Sequence, residues 1–236
     1  MRRNIKRGYP RGEETKARIL DFAIDLFGTK GFDGVTTRDI AVAASVPTAS
    51  LRYYFTNKEG LYIACQEKIQ EITFNRMEPA LEAAESLLGS DDLDLERLIA
   101  SFCDLQGALV DSMIGGPDGG ALALFVVRHD LPTKSGAGKL AGYSAPSRRM
   151  MDCFIKMTIR ICGDQMDEQS AARVAGLING QLINIYVRRN RLAESGWEIT
   201  PERLQWLKRT ILMHSAAMLQ AHRAEHALVD RAAAAA

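Results

Sequence analysis

The chain has 236 residues, of which 47% are hydrophobic and 25% charged, and this composition is ordinary for a soluble globular protein. Its sequence contains no apolar run near the roughly 20 residues that a membrane-spanning helix needs, and no apolar signal segment follows the basic first residues. We therefore expect a cytoplasmic protein. The four cysteines form no C-x-x-C pair, so we expect buried free thiols rather than a zinc or redox site.

The net charge is only +1, but the charges are unevenly distributed along the chain. Residues 1–60 contain 11 basic and 7 acidic side chains, whereas the remainder contains 19 basic and 22 acidic ones. A basic N-terminal part joined to a slightly acidic body is typical of a modular nucleic-acid-binding protein.

The N-terminal part begins with an arm and two helices. The first dozen residues have five basic side chains and no acidic one, which predicts a flexible arm that reaches a flanking minor groove. From Thr15 onward, apolar residues recur at intervals of three and four, so a first helix is predicted, and Gly31 ends it. Thr36 and Asp39 have the spacing of a capping box and predict the start of a second helix, which ends before Ser45.

Two further helices complete this part of the chain. A short third helix is predicted over roughly residues 48–55, and a fourth from the Thr56-Asn57-Lys58-Glu59 capping signal to about Met77. Two short helices separated by a tight turn and packed on a longer one form a helix-turn-helix. The third helix turns Leu51 and Phe55 inward and exposes polar and aromatic groups. That face suits the major groove of DNA, because a helix fits there and arginine pairs with guanine.

The rest of the chain is also predicted to be helical. Candidate helices cover residues 93–113, 121–127, 146–161, 168–189 and 201–228, separated by glycine- and proline-rich breaks. The alternation that is typical of strands is lacking. The sequence therefore predicts an all-α protein with an arm at 1–12, a three-helix DNA-binding domain at 13–60, a helical domain at 61–228 and a tail at 229–236.

The segment from Phe27 to Tyr62 resembles the DNA-binding domain of the TetR family of regulators. The resemblance covers about residues 14–65. It rests on Gly31-Phe32, the Thr36-Thr37-Arg38-Asp39-Ile40-Ala41 opening, the turn at Val46, Leu51-x-Tyr53-Tyr54-Phe55 and Asn57-Lys58-Glu59-x-Leu61. The sequence departs from the family pattern at Pro47, Thr48 and Arg52, which lie on or beside the recognition face and therefore affect which operator is read.

The resemblance implies a role for each side chain that meets DNA. Contacts to phosphates fix register without reading sequence, and they are expected from Thr37, Ser50, Tyr54 and Lys58. The side chains expected to face bases are Arg38, Thr48, Ala49, Arg52 and Tyr53.

The resemblance also implies that the C-terminal bundle binds a small-molecule effector and forms a homodimer. The candidate ligand-binding residues combine apolar walls with polar groups; they are Phe102, Met113, Phe125, Arg128, His129, Tyr143, Met151, Phe154, Gln181 and Asn184. Arg128 and His129 are the expected polar anchors, and a cationic Arg128 would favour an acidic ligand. The last two long helices are the dimer candidates, where Gly176 and Gly180 allow close packing either between protomers or within one.

A possible zinc motif lies near the end of the chain. His222-Arg223-Ala224-Glu225-His226 has the H-x-x-E-H spacing of a zinc peptidase, but almost no chain follows that could supply a third ligand, so we expect a solvated helix end. The sequence thus predicts a homodimeric repressor that a small molecule releases from a palindromic double-stranded DNA operator, without enzyme activity, cofactor or metal. The alternatives are an architectural or ligand-independent DNA-binding protein and a zinc-dependent hydrolase.

Overall fold

The computed structural model describes residues 10–90, 94–114, 124–126, 128, 145–163, 165–196 and 200–234. Within these ranges the regular elements are helices, as predicted. They are α1 (Pro10–Lys30), α2 (Thr37–Ala43), α3 (Thr48–Tyr54), α4 (Lys58–Leu88), α5 (Leu95–Ile114), α6 (Ala145–Cys162), α7 (Glu168–Glu194) and α8 (Pro201–Ala234). Residues 124–126 and 128 are helical as well. Of the described helices, none is both long and apolar enough to span a bilayer.

The chain divides into two compact units. The first comprises residues 1–69 and 121–142, and the second comprises residues 70–120 and 143–236. This division differs from the expected domains because the segment around Phe125 belongs with the N-terminal unit. In addition, α4 contributes residues to both units, and α8 continues to Ala234, inside the expected tail.

The first unit is built on the apolar face of α1. Ala23 and Phe27 lie one turn apart on this face and are at most 1% exposed. The Phe27 ring packs against Phe32 and Tyr62, with ring centroids 5.8 and 5.1 Å away. α1 ends as predicted, because Gly31 adopts a φ of 75° and donates its N–H to the Phe27 carbonyl at 2.9 Å.

Two helices are longer than their sequence patterns predict. α1 begins at Pro10, more than one turn before the predicted start at Thr15. Proline is well tolerated in the first turn of a helix, because an N–H there has no partner within the helix. α4 does not end near Met77 but passes through Pro79 to Leu88. The helix continues because Met77 and Leu81 are fully buried on either side of the proline, and this packing offsets the missing backbone hydrogen bond.

The second unit is a bundle of the C-terminal half of α4 with α5 to α8. Helix α6 packs on α7 and α8, and α5 packs on α6 and α8. Phe102 of α5 and Phe154 of α6 meet in its core with ring centroids 4.9 Å apart, and both are at most 1% exposed.

The cysteines are free thiols, as expected. Cys65, Cys153 and Cys162 are buried, whereas Cys103 is half-buried. Burial raises the pKa of Cys103, Cys153 and Cys162 to about 11, and it also raises the pKa of Cys65. The thiols are therefore protonated at neutral pH and behave as small apolar side chains.

Candidate nucleic-acid interface

Helix α2 begins at the predicted capping box. The Thr36 hydroxyl accepts from the Asp39 N–H at 3.1 Å, and the Thr36 N–H donates to the Asp39 carboxylate at 2.9 Å. The hydrogen bonds from the Thr36 side chain and backbone lower the pKa of Asp39. The cap therefore fixes the first turn of α2, which carries Thr37 and Arg38.

The turn between α2 and α3 is a Schellman motif. Val46 donates its N–H to the Ala41 carbonyl at 2.9 Å, and Ser45 donates to the Val42 carbonyl at 3.1 Å. Ser45 has a φ of 53°, in the left-handed region that favours glycine. α2 thus stops where the sequence predicts, and Pro47 leads directly into α3.

Helix α3 has one buried edge and one exposed face. Leu51 and Phe55 are 3% and 7% exposed and point inward, as predicted. Tyr53 is 83% exposed, and its ring meets that of Tyr54 edge to face at 4.9 Å. The two apolar anchors hold the short helix in place, so that Arg52 and Tyr53 are presented to solvent.

The residues expected to contact bases and those expected to contact phosphates differ in their exposure to solvent. Those expected to face bases are all exposed: Arg38, Thr48, Ala49, Arg52 and Tyr53. Those expected to contact phosphates are all half-buried: Thr37, Ser50, Tyr54 and Lys58. The Lys58 ammonium lies 4.2 Å from the centroid of the Phe32 ring, a cation–π contact.

Thr56 and Asn57, which have no predicted binding role, line a cavity beside α3. The cavity has a volume of about 450 Å³ and is lined by Thr37, Thr48, Leu51, Arg52, Phe55, Thr56, Asn57 and Leu61. Asn57 Oδ1 accepts the Gly60 N–H at 2.8 Å and so caps α4. The sequence signal at these positions predicts only the start of a helix, which is why their place in a cavity could not be foreseen.

Two of the expected effector-binding residues belong to the first unit. The Phe125 ring stacks on Tyr62 with centroids 4.7 Å apart. Arg128 Nε and Nη2 donate to the carbonyl oxygens of Gly28 and Thr29 at 2.6 and 2.9 Å. The Arg128 guanidinium thus lies against the C-terminal end of α1.

Other expected effector-binding residues belong to the second unit. Besides the buried Phe102–Phe154 pair, Gln181 donates to the Ser215 hydroxyl at 3.2 Å, and Met113 is half-buried. The structure brings the two phenylalanines into direct contact, whereas the Gln181 amide is bonded to α8.

Two further expected residues, Met151 and Asn184, do not join this core. Met151 is 37% exposed, and Asn184 is exposed on α7. His129 and Tyr143 lie outside the described residues.

A groove of about 640 Å³ lies between the end of α4 and α6. Arg149 crosses one side of it and forms salt bridges to Glu78 and Glu85 at 2.7 and 2.6 Å. The hydrogen bond from Arg149 lowers the pKa of Glu85. Charged residues on an amphipathic helix are usually solvated, so the sequence does not indicate a groove here, although its volume is that of a small-molecule site.

The histidines of the H-x-x-E-H segment lie on α8. His222 Nδ1 is 3.8 Å from the Glu225 carboxylate. Among the described residues, no group of three or more histidines, cysteines or acidic residues is placed to hold a metal ion.

Residues 19–65 match the family described as bacterial regulatory proteins, tetR family. These residues make up about a fifth of the chain, and over this segment it is similar to that family. Proteins similar to this chain include the HTH-type transcriptional dual regulator CecR of Shigella flexneri, with 34% identity over 96 residues, or 39% of this chain and 43% of the relative. Another is the biofilm operon icaADBC negative transcriptional regulator IcaR of Staphylococcus epidermidis, with 47% identity over 47 residues, or 20% of this chain and 25% of the relative. The matches therefore span less than half of either relative.

A solved structure extends the comparison to the C-terminal part of this chain. The transcriptional regulator FadR from Bacillus subtilis, in complex with stearoyl-CoA, superposes with a TM-score of 0.58 over 86% of this chain and 98% of its own, at 13% sequence identity. At that identity the likeness shows the fold alone. It confirms the expected all-helical fold, with an N-terminal helical domain followed by a C-terminal helical domain.

Proposed function

We propose that this protein is a sequence-specific transcriptional regulator of the TetR family, a cytoplasmic repressor that binds a palindromic operator as a homodimer. The exposed face of α3 carries the proposal. Leu51 and Phe55 anchor this helix, and Arg52 and Tyr53 project from it with hydrogen-bonding groups suited to base edges in the major groove. The names of CecR and IcaR support a regulatory role, and that of IcaR supports repression. We assign the chain no catalytic activity.

Helix α7 supports a homodimer. Leu177 is 68% exposed, and Ile183, between one and two turns further along the helix, is 50% exposed. A Cβ atom added to Gly176 or Gly180 would meet no atom within 4 Å, so these glycines are not needed for close packing within one chain. The sequence allows these glycines to support close packing either between protomers or within one chain. The open space around them favours packing between protomers.

Helix α8 carries a second exposed apolar stripe. Trp206 and Met213 lie two turns apart and are 50% and 62% exposed. Apolar side chains exposed in rows indicate an interaction surface. A two-fold contact between two copies of the chain through α7 and α8 would bury the exposed apolar residues of both helices.

The effector is proposed to bind the second unit. FadR of Bacillus subtilis is described in complex with stearoyl-CoA, so acyl-CoA thioesters are the first compounds to test. A ligand releases DNA only if it binds the released geometry more tightly than the DNA-bound one. The Phe102–Phe154 region and the groove beside Arg149 are the candidate positions.

The experiment is a fluorescence-anisotropy titration of labelled DNA from the gene's own upstream region against an unrelated duplex, at two salt concentrations. We expect a preference of about a thousandfold or more for the upstream duplex. Arg52→Ala should cost about 1–3 kcal/mol on that duplex and relax the choice of one base pair. Equal, salt-sensitive binding to both duplexes would instead indicate the architectural alternative.

The same assay tests the effector. Acyl-CoA thioesters of increasing chain length are added to the preformed complex, and release is expected for a limited range of lengths. Free coenzyme A is the control, because it lacks the apolar chain. Binding that no thioester alters would favour another ligand class or a ligand-independent regulator.

A further inference from the structure

We propose that the cavity beside α3 receives a backbone phosphate of the bound DNA, and that the side-chain amide of Asn57 positions it. This inference rests on the proposed function. We call the cavity the phosphate notch. Its walls carry Thr37, Thr48, Arg52, Thr56 and Asn57, and its floor is formed by Leu51, Phe55 and Leu61.

The walls of the phosphate notch offer hydrogen-bond donors and no carboxylate. Within the part of the chain that the structure describes, the hydroxyls of Thr37, Thr48 and Thr56 and the guanidinium of Arg52 make no hydrogen bond. Several free hydroxyl and amide donors around a single cavity suit a group with several acceptor oxygens. A phosphodiester is such a group, and duplex DNA presents it in a row.

Asn57 has a second function besides capping α4. Only its Oδ1 can accept the Gly60 N–H, so this 2.8 Å hydrogen bond fixes the orientation of the amide. The Nδ2 group makes no hydrogen bond within the described residues, so both of its hydrogens are available to a bound phosphate. Serine or aspartate would cap the helix as well as asparagine does, so the donor is what asparagine adds.

The first turn of α4 reinforces this assignment. Its early N–H groups have no partner within the helix, and they favour an anion next to Asn57. Lys58, which the family resemblance assigns to a phosphate, does not line the notch, and its ammonium lies over the Phe32 ring. Because Arg52 is assigned to a base edge, the donors that the notch offers to the phosphate are uncharged.

Two substitutions test the amide while keeping the cap. Asn57→Asp retains an acceptor for the Gly60 N–H but replaces the donor with a negative charge, and Asn57→Ser retains an acceptor and removes the donor. Both proteins should melt at the wild-type temperature or above. At low salt, N57D should weaken binding to the upstream and the unrelated duplex alike, by roughly tenfold or more.

Asn57→Ser should weaken binding to both duplexes by a smaller factor. Its dependence on salt should match the wild type, because no cation is lost. Asn75→Asp is the matched control, since Asn75 is exposed on α4 in the second unit and gains the same charge. This control should bind both duplexes as the wild type does.

Wild-type affinity of N57D for both duplexes would overturn the assignment. A loss confined to the upstream duplex would also overturn it, because Asn57 would then read a base. Weaker DNA binding accompanied by a lower melting temperature in both variants would show that Asn57 acts only as the cap of α4. If the wild-type protein itself binds neither duplex, it is the proposed function that fails.

Discussion

Arg128 donates two hydrogen bonds to the carbonyl oxygens of Gly28 and Thr29 in the last turn of α1. Carbonyl groups at the C-terminal end of a helix carry partial negative charge, so a guanidinium there is stabilising. We expect Arg128→Ala to lower the free energy of unfolding by about 1–2 kcal/mol, measured by urea denaturation without ligand. Arg128→Lys should retain only part of the stability that Arg128→Ala loses, because an ammonium group lacks the planar arrangement of donors of a guanidinium.

The sequence instead predicts that Arg128 anchors an acidic ligand, and this role leads to a different result for Arg128→Ala. If Arg128 anchors an acidic ligand, Arg128→Ala leaves stability unchanged and weakens the response to effector. The contact with α1 could not be read from the sequence, because Arg128 and Gly28 are 100 residues apart and a backbone carbonyl has no sequence signature. What the sequence does show is an arginine at the end of an apolar stretch, and this fits either role.

Ser45 is the residue at which the helix-turn-helix carries backbone strain. Its φ of 53° is unfavourable for a residue with a Cβ atom. Ser45→Gly should therefore raise the free energy of unfolding by up to about 1 kcal/mol, the gain being reduced by the greater freedom of glycine in the unfolded chain. Ser45→Val should lower the melting temperature, because a β-branched residue fits this region worst. Equal melting temperatures for the three proteins would show that the turn relaxes without strain.

Between elements, Arg149 ties α6 to α4. It donates to Glu78 at 2.7 Å and to both oxygens of Glu85 at 2.8 and 2.6 Å. Because these bonds lower the pKa of Glu85, their contribution is present above the unfolded-state pKa of about 4.3 and is lost as the pH falls through the lower folded-state value. The pair is more than a third exposed, so solvent weakens it.

We therefore expect Glu85→Gln to lower the free energy of unfolding by up to about 1 kcal/mol at neutral pH. The difference from the wild type should shrink below about pH 4, where the wild-type carboxyl becomes protonated. Urea denaturation at a series of pH values measures both. A difference that is independent of pH would mean that Glu85 acts through packing and not through its charge.

The elements that the sequence predicted well have local signals. The capping box at Thr36 and Asp39 and the stop at Gly31 are written in adjacent residues, and both are confirmed. The passage of α4 through Pro79 depends on burial against other helices, which no local pattern records. The phosphate notch depends in the same way on two distant chain positions, Thr37 and Asn57, that line one cavity. The sequence therefore predicted which side of α3 is exposed, but not the cavity beside it.

For the whole molecule, the proposed operator recognition requires assembly of two protomers. A palindromic site binds a two-fold dimer with its recognition helices about 34–36 Å apart, so a single protomer reads only half of it. Both half-sites must be engaged together for full affinity, because the second contact is made at high effective concentration. On this proposal, the exposed apolar residues of α7 and α8 influence DNA binding without touching DNA.

Leu177→Glu places a charge on the exposed apolar face of α7. We expect this protein to sediment as a monomer where the wild type is a dimer, because an unpaired carboxylate cannot be buried in an apolar contact without a large cost. Its helix content should be unchanged, since Leu177 is already 68% exposed within one chain. Its affinity for the palindrome should fall to that for an isolated half-site. Leu177→Met keeps the apolar surface and should remain dimeric. A Leu177→Glu protein that stays dimeric would place the contact between protomers elsewhere on the chain.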